Sequence, residues 1–202
     1  MDLISGLRSE LFRPLVTLLV PGAIAIAPYW VVLQSRVPEV VTFKADNPSA
    51  LVAILLVVII AAGLTLEDIG ARIEREVWDR RLRTLGEFAN FDAQWHQYLS
   101  LKTQDEIVGQ RYLRTILVRM KFEISTGPAL IIHLIGLIWV NHVLAAFSAG
   151  TMLQLSIAYC ALAAYLIWES YQSCYALAEL RRDVIEACKV LPKSAQLSIR
   201  VE

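Results

Sequence analysis

The chain has 202 residues, of which 56% are hydrophobic and 19% charged, and its mean hydropathy is +0.52. That composition is too apolar for an ordinary soluble domain and is typical of a membrane protein. The formal net charge is zero, so overall charge gives no reason to expect a nucleic-acid partner. The three cysteines lack CxxC spacing, which argues against a zinc site or a disulfide framework and favours simple apolar packing.

Four apolar runs are long enough to cross the ~30 Å hydrocarbon core of a bilayer, for which a helix needs about 20 residues. They cover residues 14–34, 50–66, 128–147 and 151–168, and no charged residue interrupts any of them. The first run has a rival interpretation as a signal peptide, because "AIA" at 25–27 resembles a cleavage site. Since the run continues through "YWVVL", we favour a retained span.

The first span carries Pro14, Pro21 and Pro28 at seven-residue spacing. Each interior proline frees a carbonyl and kinks the helix, which a span tolerates where neighbouring helices bond the freed backbone. The spacing therefore predicts an irregular helix, either a moving, pore-adjacent element or a static bent one. Residues before Pro14 are predicted to lie along the inner membrane surface, and a loop at 35–49 is predicted to lead to the second span.

The second span is predicted to continue as one helix to about residue 83, because "EDIGARIEREVWDRRL" contains no proline. Two glycines and two glutamates share one narrow stripe of it, since a helix turns about 100° per residue. Glycine costs about 1 kcal/mol against alanine in a helix, so the pair indicates close approach of another helix. That helix belongs to the same chain, with the glutamates paired to arginines, or to a symmetry mate, with the glutamates forming a cation-selecting ring at a pore mouth. The stripe consists of Gly63, Glu67, Gly70 and Glu74.

The residues between the second and third spans are too many for a plain loop and are predicted to be helical. A short helix is predicted at "FDAQWHQYL", and a capping box at 103–106 begins a helix that Gly127-Pro128 ends or bends into the third span. The fourth span is predicted to continue to residue 191, which makes ~60 Å of helix. These long helices are expected to pack together as a bundle outside the membrane.

The predicted fold is therefore all-α, a polytopic membrane protein with four transmembrane helices and a cytosolic helical bundle formed by extended helices. Its parts are the N-terminal surface helix with the first two spans (1–67), the cytosolic helical insertion (68–127), spans three and four (128–168), and a cytosolic helical extension and tail (169–202). Basic residues are concentrated in the insertion and the tail, so the positive-inside rule predicts that both termini are cytoplasmic.

His133 lies inside the third span and Glu169 ends the fourth. An ionisable residue within a span is a functional hypothesis by default. With Glu67, these residues form either a polar cluster that senses pH or binds a cation, or no cluster at all. In the second case, His133 donates one hydrogen bond to a neighbouring helix and both glutamates reach the headgroup region.

Arginines between spans two and three are candidates for binding anionic groups. Their plainest role is topology together with attraction to anionic lipid headgroups, at about 1 kcal/mol per charge near the surface. A pocket for an anionic ligand such as a nucleotide second messenger is the sharper alternative, although no glycine-rich phosphate loop accompanies them. The candidates are Arg80, Arg81, Arg83, Arg111 and Arg114.

No HExxH, GxSxG or P-loop motif and no pair of histidines at ligand spacing occurs in the sequence. We therefore expect no catalytic residues, no cofactor and no metal site. A transporter is also less favoured, because four spans are few and no inverted repeat is visible.

In size and layout the chain resembles the small four-span membrane proteins of bacterial antiphage operons, such as the Kiwa and Hailong membrane components. The resemblance is one of architecture over the whole chain, and it carries no motif from which site residues can be transferred. It implies a homo-oligomer, for example a tetramer, in the bacterial inner membrane. The implied function is a channel-like or membrane-perturbing effector, with the Gly/Glu stripe lining the cavity. The alternative is a membrane-anchored sensor or scaffold that recruits a cytosolic protein through its helical insertion.

Overall fold

The computed structural model describes the backbone of residues 3–84, 93 and 108–190, and the side chains of residues 16–84, 93 and 112–186. Within these residues the chain is helical and contains no strand, which confirms the all-α prediction. The "FDAQWHQYL" helix and the capping box fall almost wholly outside the described residues. The elements are α1 (Leu3–Arg36), α2 (Pro38–Asp46), α3 (Pro48–Ile73), a π-helical turn (Glu74–Trp78), α4 (Asp79–Thr84), α5 (Val108–Leu144) and α6 (Ala149–Val190).

Among the described residues, four helices are long and apolar enough to cross a membrane, in agreement with the predicted spans. Much of their apolar surface faces outward. Only 11% of the most apolar window of α6 is buried within the chain, so this helix presents most of its surface to lipid or to another chain. Exposed Trp139 and Trp168 lie towards opposite ends of the apolar region, where amphipathic rings are usual at membrane interfaces.

The N-terminal part of the first helix is more continuous with the first span than expected. We expected a separate surface segment before Pro14, whereas α1 runs from Leu3 to Arg36 without interruption and includes Pro14, Pro21 and Pro28. It is ~51 Å long at 1.5 Å per residue. The segment before Pro14 is therefore continuous with the first span, and its position on the inner membrane surface stays a prediction.

The connection between the first two spans is also more regular than expected. Instead of a loop, residues Pro38–Asp46 form α2, none of whose residues is buried. Pro38 occupies the first turn, where its missing N–H removes no helical hydrogen bond. Asn47 then ends α2 and begins α3.

The long helices predicted beyond the apolar runs are present. The second span continues through the π-helical turn to Thr84, and α6 extends to Val190, which confirms both predicted extensions. Of the two predictions for Gly127-Pro128, an end of the helix is excluded, because α5 passes through Pro128 to Leu144. Three long helices thus continue beyond the apolar region.

These continuations pack together into what we call the projecting bundle, made of residues 68–84, 108–127 and 169–190. Its core contains Leu82 from α4, Leu113 and Met120 from α5, and Leu177 from α6. Half-buried Trp78 and several neighbours pack against this core. A separate apolar core lies within the spans and contains Ala25, Leu66 and Ala129. Both cores contain residues of α5, and the second span contributes Leu66 to one core and, through its continuation, Leu82 to the other. The bundle and the spans therefore share these helices.

Candidate functional site

The glycines of the predicted stripe face helices of their own chain. A Cβ atom at Gly63 would overlap the carbonyl oxygen of Leu18 in α1, and one at Gly22 would overlap the carbonyl oxygen of Ile59 in α3. The backbones of α1 and α3 therefore touch at this crossing. A Cβ at Gly70 would lie 2.9 Å from the Ile124 Cγ2 atom, so this glycine faces α5.

The two glutamates of the stripe have different surroundings. The carboxylate of Glu74 lies 2.7 Å from the Lys121 ammonium group, so it pairs with a lysine of α5 rather than with an arginine. Glu67 is half-buried and forms no hydrogen bond or ion pair with any residue whose side chain the structure describes. Among the described side chains, Glu74 thus has a partner within the chain and Glu67 does not.

A layer of charged and hydroxyl side chains lies between the two apolar cores. The Nε of Arg119 donates to the Oε1 of Glu123 at 2.7 Å, and another nitrogen of Arg119 donates to Glu169 of α6. The second oxygen of Glu123 accepts a hydrogen bond from the Ser173 hydroxyl at 2.9 Å. This network, together with the Glu74–Lys121 pair, is called the polar layer below.

Burial makes the polar layer more than a set of surface ion pairs. Only 5% of Glu123 is exposed, and burying a carboxylate is costly unless both oxygens are bonded. Here Arg119 bonds one oxygen and Ser173 the other, so the requirement is met. Because the partners come from α5 and α6, the layer joins these helices where they leave the apolar region.

Small side chains allow α5 and α6 to approach closely at the same level. Ser125, Thr126 and Ser170 are buried, and the hydroxyls of the last two bond carbonyls of their own helices at 2.6 and 2.7 Å. A Cβ at Gly127 would lie 2.8 Å from Ile167 of α6. Close packing of small residues is the usual way in which membrane helices associate.

The predicted cluster of Glu67, His133 and Glu169 is not assembled in the structure. The ring of His133 stacks on Tyr159, with centroids 5.2 Å apart and planes within 4°. Tyr159 precedes Glu169 by ten residues on α6, a rise of ~15 Å along the helix. Glu169 instead binds Arg119, so His133 and Glu169 lie at different depths.

His133 supplies a hydrogen bond that Pro28 cannot make. In a regular helix, the N–H of residue 28 would donate to the carbonyl of Ile24, but proline has no N–H. The Nδ1 atom of His133 lies within hydrogen-bond distance of that carbonyl oxygen. Because a carbonyl only accepts, Nδ1 carries the hydrogen and donates a hydrogen bond to the Ile24 carbonyl oxygen. His133 thus makes the inter-helix hydrogen bond that was the alternative to the cluster.

The surroundings of Pro28 are shaped to bring α5 close enough for this bond. A Cβ at Gly136 would overlap the Pro28 ring, so only glycine permits the observed approach. The Tyr29 hydroxyl donates to the carbonyl of Ile132 at 3.1 Å, and its ring meets Trp139 edge-on at 6.0 Å. The proline segment of α1 is therefore fixed against α5.

The candidate anion-binding arginines are distributed over the projecting bundle. The guanidinium of Arg81 lies 5.1 Å from the ring centroid of Tyr171, a cation–π geometry. Arg80 and Arg83 are exposed on α4, and Arg114 is exposed on α5. The side chain of Arg111 lies outside the described residues.

Sequence reasoning missed the centre of the polar layer. The spacing of Arg119 and Glu123 is that of an ion pair within a helix, and this signal was available. The pairing of Lys121 with Glu74, and of Glu123 with Ser173, joins residues far apart in the sequence and left no local pattern. Within the described part of the chain, no group of three or more His, Cys, Asp or Glu side chains is able to hold a metal ion.

Together, the four apolar helices and the packed spans define a multi-pass membrane protein. No known protein family, curated protein or solved structure matches the chain significantly.

Proposed function

We propose that the protein is a membrane-anchored scaffold or sensor whose projecting bundle recruits a soluble protein partner. The observation that carries this proposal is the unbroken passage of three helices from the spans into a bundle with its own apolar core. A tether that only held the protein in the membrane would need no such core.

Charge supports a cytoplasmic position for the bundle. Arginines are frequent on its exposed faces, and the positive-inside rule places such segments on the cytoplasmic side. On this proposal both termini are cytoplasmic and the membrane is the bacterial plasma membrane. Exposed arginines close to the spans include Arg72, Arg75 and Arg80.

The outer surface of the bundle has features of a docking surface. Tyr112 is 59% exposed on α5, and Arg114 and Thr115 beside it are also exposed. Tyrosine and arginine are the residue types most often responsible for binding energy at protein interfaces. The basic character of α4 and α5 favours a partner with an acidic surface.

Capture of the partner tests this proposal. Full-length protein in lipid nanodiscs is used to bind proteins from the cytosolic fraction of its source cells. The double variant Tyr112→Ala, Arg114→Glu, which alters two residues of this surface, should recover at least ~10-fold less partner, as expected for loss of interface anchors. The control is Val52→Ala, which alters an exposed residue of the apolar run. Equal recovery by the double variant and the control would reject the docking surface.

A second candidate function, a homo-oligomeric channel-like effector of antiphage defence, is favoured by one observation. Glu67 and exposed Asp68 end the apolar run of α3 and form no hydrogen bond or ion pair among the described side chains. In a symmetric oligomer, such carboxylates would form a ring at a pore mouth, and acidic rings select cations. Glu74 is a weaker candidate for this ring, because Lys121 already binds it.

Ion flux tests the channel function. Vesicles containing the wild-type protein should pass cations, and Glu67→Gln should lower that flux. Arg182→Gln, which alters an ion-paired residue of α6, is the matched control and should leave flux unchanged. A monomer in detergent, or vesicles that stay tight with the wild-type protein, would count against a channel. A role in antiphage defence stays a prediction, and loss of phage resistance in cells lacking the protein would test it.

A further inference from the structure

A groove opens between α1 and α3 at the side of the spans away from the projecting bundle, which we call the far side. Its volume is about 440 Å³, within the usual size range of small-molecule sites. Ile26 and Leu33 line it from α1, Ile54 and Val58 line it from α3, and Trp139 of α5 also contributes to the lining. We call it the α1–α3 groove.

The glycines and prolines of α1 account for the opening. At Gly22 and Gly63 the backbones of α1 and α3 touch, which leaves no space between the helices at that level. Towards the far side, Pro28 and Tyr29 hold α1 against Gly136 and Ile132 of α5. Because α1 follows α5 there, it parts from α3, and the groove lies above the crossing point.

The dimensions of the groove match one leaflet of a bilayer. From Ile26 at its inner end to Arg36 at its mouth, α1 advances ten residues, or ~15 Å. Half of a ~30 Å hydrocarbon core is about the same length. The walls are aliphatic and aromatic side chains, which favour a hydrocarbon chain over water.

Charge complementarity identifies the other end of the ligand. Arg36 is the last residue of α1, lies at the groove mouth, is exposed, and has no ion pair within the described part of the chain. A guanidinium binds phosphate oxygens through two parallel hydrogen bonds. Trp30, about 9 Å further down α1, also lines the groove and supplies an amphipathic ring of the kind found near membrane interfaces.

We propose that the α1–α3 groove binds one anionic phospholipid, with an acyl chain between α1 and α3 and the phosphate at Arg36. An anionic headgroup is favoured over a zwitterionic one, because a headgroup ammonium would offset the phosphate charge that attracts Arg36. This site is independent of whether the bundle recruits a protein or the chain forms a channel.

The test is lipid retention by the full-length protein, measured by native mass spectrometry after exchange into detergent and addition of phosphatidylglycerol. Val58→Phe fills the groove and should abolish the single retained lipid. Val57→Phe is the matched control, because Val57 is 66% exposed and does not line the groove. It should retain the lipid as the wild type does. Equal retention by the two variants would overturn the proposal.

The headgroup contact is tested separately. Arg36→Gln should weaken phosphatidylglycerol binding at least tenfold and phosphatidylcholine binding by a smaller factor, because the choline ammonium already offsets the phosphate charge. Lys44→Gln is the control, because Lys44 is an exposed cation of neighbouring α2 outside the groove. Identical binding by both variants would show that Arg36 does not hold the phosphate and would also overturn the proposal.

A fluorescence measurement distinguishes lipid bound in the groove from lipid that merely surrounds the protein, and a comparison at equal thermal stability excludes misfolding of the variants. Phosphatidylglycerol brominated on its acyl chains quenches nearby tryptophans, and Trp30 and Trp139 both line the groove. Quenching should be weaker in Val58→Phe than in Val57→Phe at equal thermal stability. Equal quenching in both would mean annular lipid only, and the groove would not be a site.

Discussion

The pairing of His133 with Pro28 is the clearest case in which one residue compensates for another. Pro28 removes a hydrogen bond from α1, and His133 replaces it from α5. Gly136 provides the space in which the two helices meet. The three residues act as one unit, although they lie on two helices and more than one hundred residues separate Ile24 from His133.

This unit makes a testable prediction at the residue scale. His133→Leu should lower the free energy of unfolding by about 1 kcal/mol, because hydrogen bonds between membrane helices are typically of this size. In a Pro28→Ala background, the backbone N–H gained at position 28 can bond the Ile24 carbonyl, so the same histidine substitution should cost much less. Unfolding in mixed micelles, followed by circular dichroism, measures both costs.

The control for this cycle is His142→Leu, which alters an exposed histidine near the far side. Its effect should be small and should not depend on residue 28. If His133→Leu costs the same in the wild type as in the Pro28→Ala background, the histidine does not serve the proline, and its hydrogen bond has another role.

The sequence predicts local features of the site, such as which face of a helix contacts another helix, better than it predicts which residues meet there. Helical periodicity identified Gly63 and Gly70 as contact residues, and both face other helices. Periodicity does not identify the partner, however, so a contact within the chain and one with a symmetry mate were both open. The orphan carbonyl of Ile24 was predictable from Pro28, but its donor, His133, is determined by how α1 and α5 pack.

At the scale of elements, the polar layer determines how α5 and α6 leave the spans. Arg119 bonds both Glu123 of its own helix and Glu169 of α6, and Ser173 of α6 bonds Glu123 in return. The bonds therefore cross between the helices in both directions. Such an arrangement resists sliding and rotation of one helix against the other.

The layer predicts unequal effects for two glutamates of similar chemistry. Glu123→Leu leaves the Ser173 hydroxyl buried without its acceptor and should destabilise the protein by about 1–2 kcal/mol. A larger loss is not expected, because Arg119 is 58% exposed and water can replace part of its pairing. Thermal unfolding of the purified protein in detergent measures the change.

Glu179→Leu provides the comparison, because Glu179 lies 3.9 Å from Arg182 and is 51% exposed. Exposed pairs of this kind contribute about 0–1 kcal/mol, so its loss should be small. Equal destabilisation by both substitutions would show that burial of Glu123 does not matter to the layer.

Long elements were more predictable than their details. The absence of proline after residue 66 was enough to predict the continuation of α3, and the periodicity of α6 was enough to predict its continuation to about residue 190. The π-helical turn at Glu74–Trp78 was not predicted, because its sequence has ordinary helix formers. There the Trp78 ring packs on the ring of Tyr171 in α6, with ring centroids 5.1 Å apart. This contact involves a residue that is distant in the sequence.

The apolar face of α5 shows the same limit. Tyr112, Ile116 and Met120 recur at four-residue spacing, which puts them on one side of a helix. In the structure Tyr112 is 59% exposed, whereas Leu113 and Met120 belong to the bundle core. A buried face through Tyr112 and one through Leu113 differ by the rotation of a single residue, which is about 100° on a helix. The face that is buried is chosen by the position of α6, which the sequence of α5 does not contain.

At the scale of the whole molecule, the spans and the projecting bundle are joined by continuous helices rather than by linkers. Leu66 lies in the core of the spans and Leu82 in the core of the bundle, and α3, the π-helical turn and α4 connect them without a break. Met120 and Ala129 are similarly placed along α5. A change in one core is therefore transmitted along helices shared with the other.

Shared helices predict that the molecule unfolds as one unit. Leu82 is fully buried, and Leu82→Ala should cost about 3 kcal/mol, the usual range for a large-to-small change in a core. The loss should appear equally in the bundle and in the spans. Variants that retain a single tryptophan, either Trp78 in the bundle or Trp139 in the spans, report each part by fluorescence.

Both reporters should give the same unfolding midpoint in the parent protein, and Leu82→Ala should lower both midpoints together. Val77→Ala alters a residue that is 47% exposed on the same helical continuation, and it should leave both midpoints nearly unchanged. If Leu82→Ala lowers the Trp78 midpoint alone, the bundle unfolds independently of the spans. Transmission between membrane and bundle would then have to act through docking of two separate parts rather than through continuous helices.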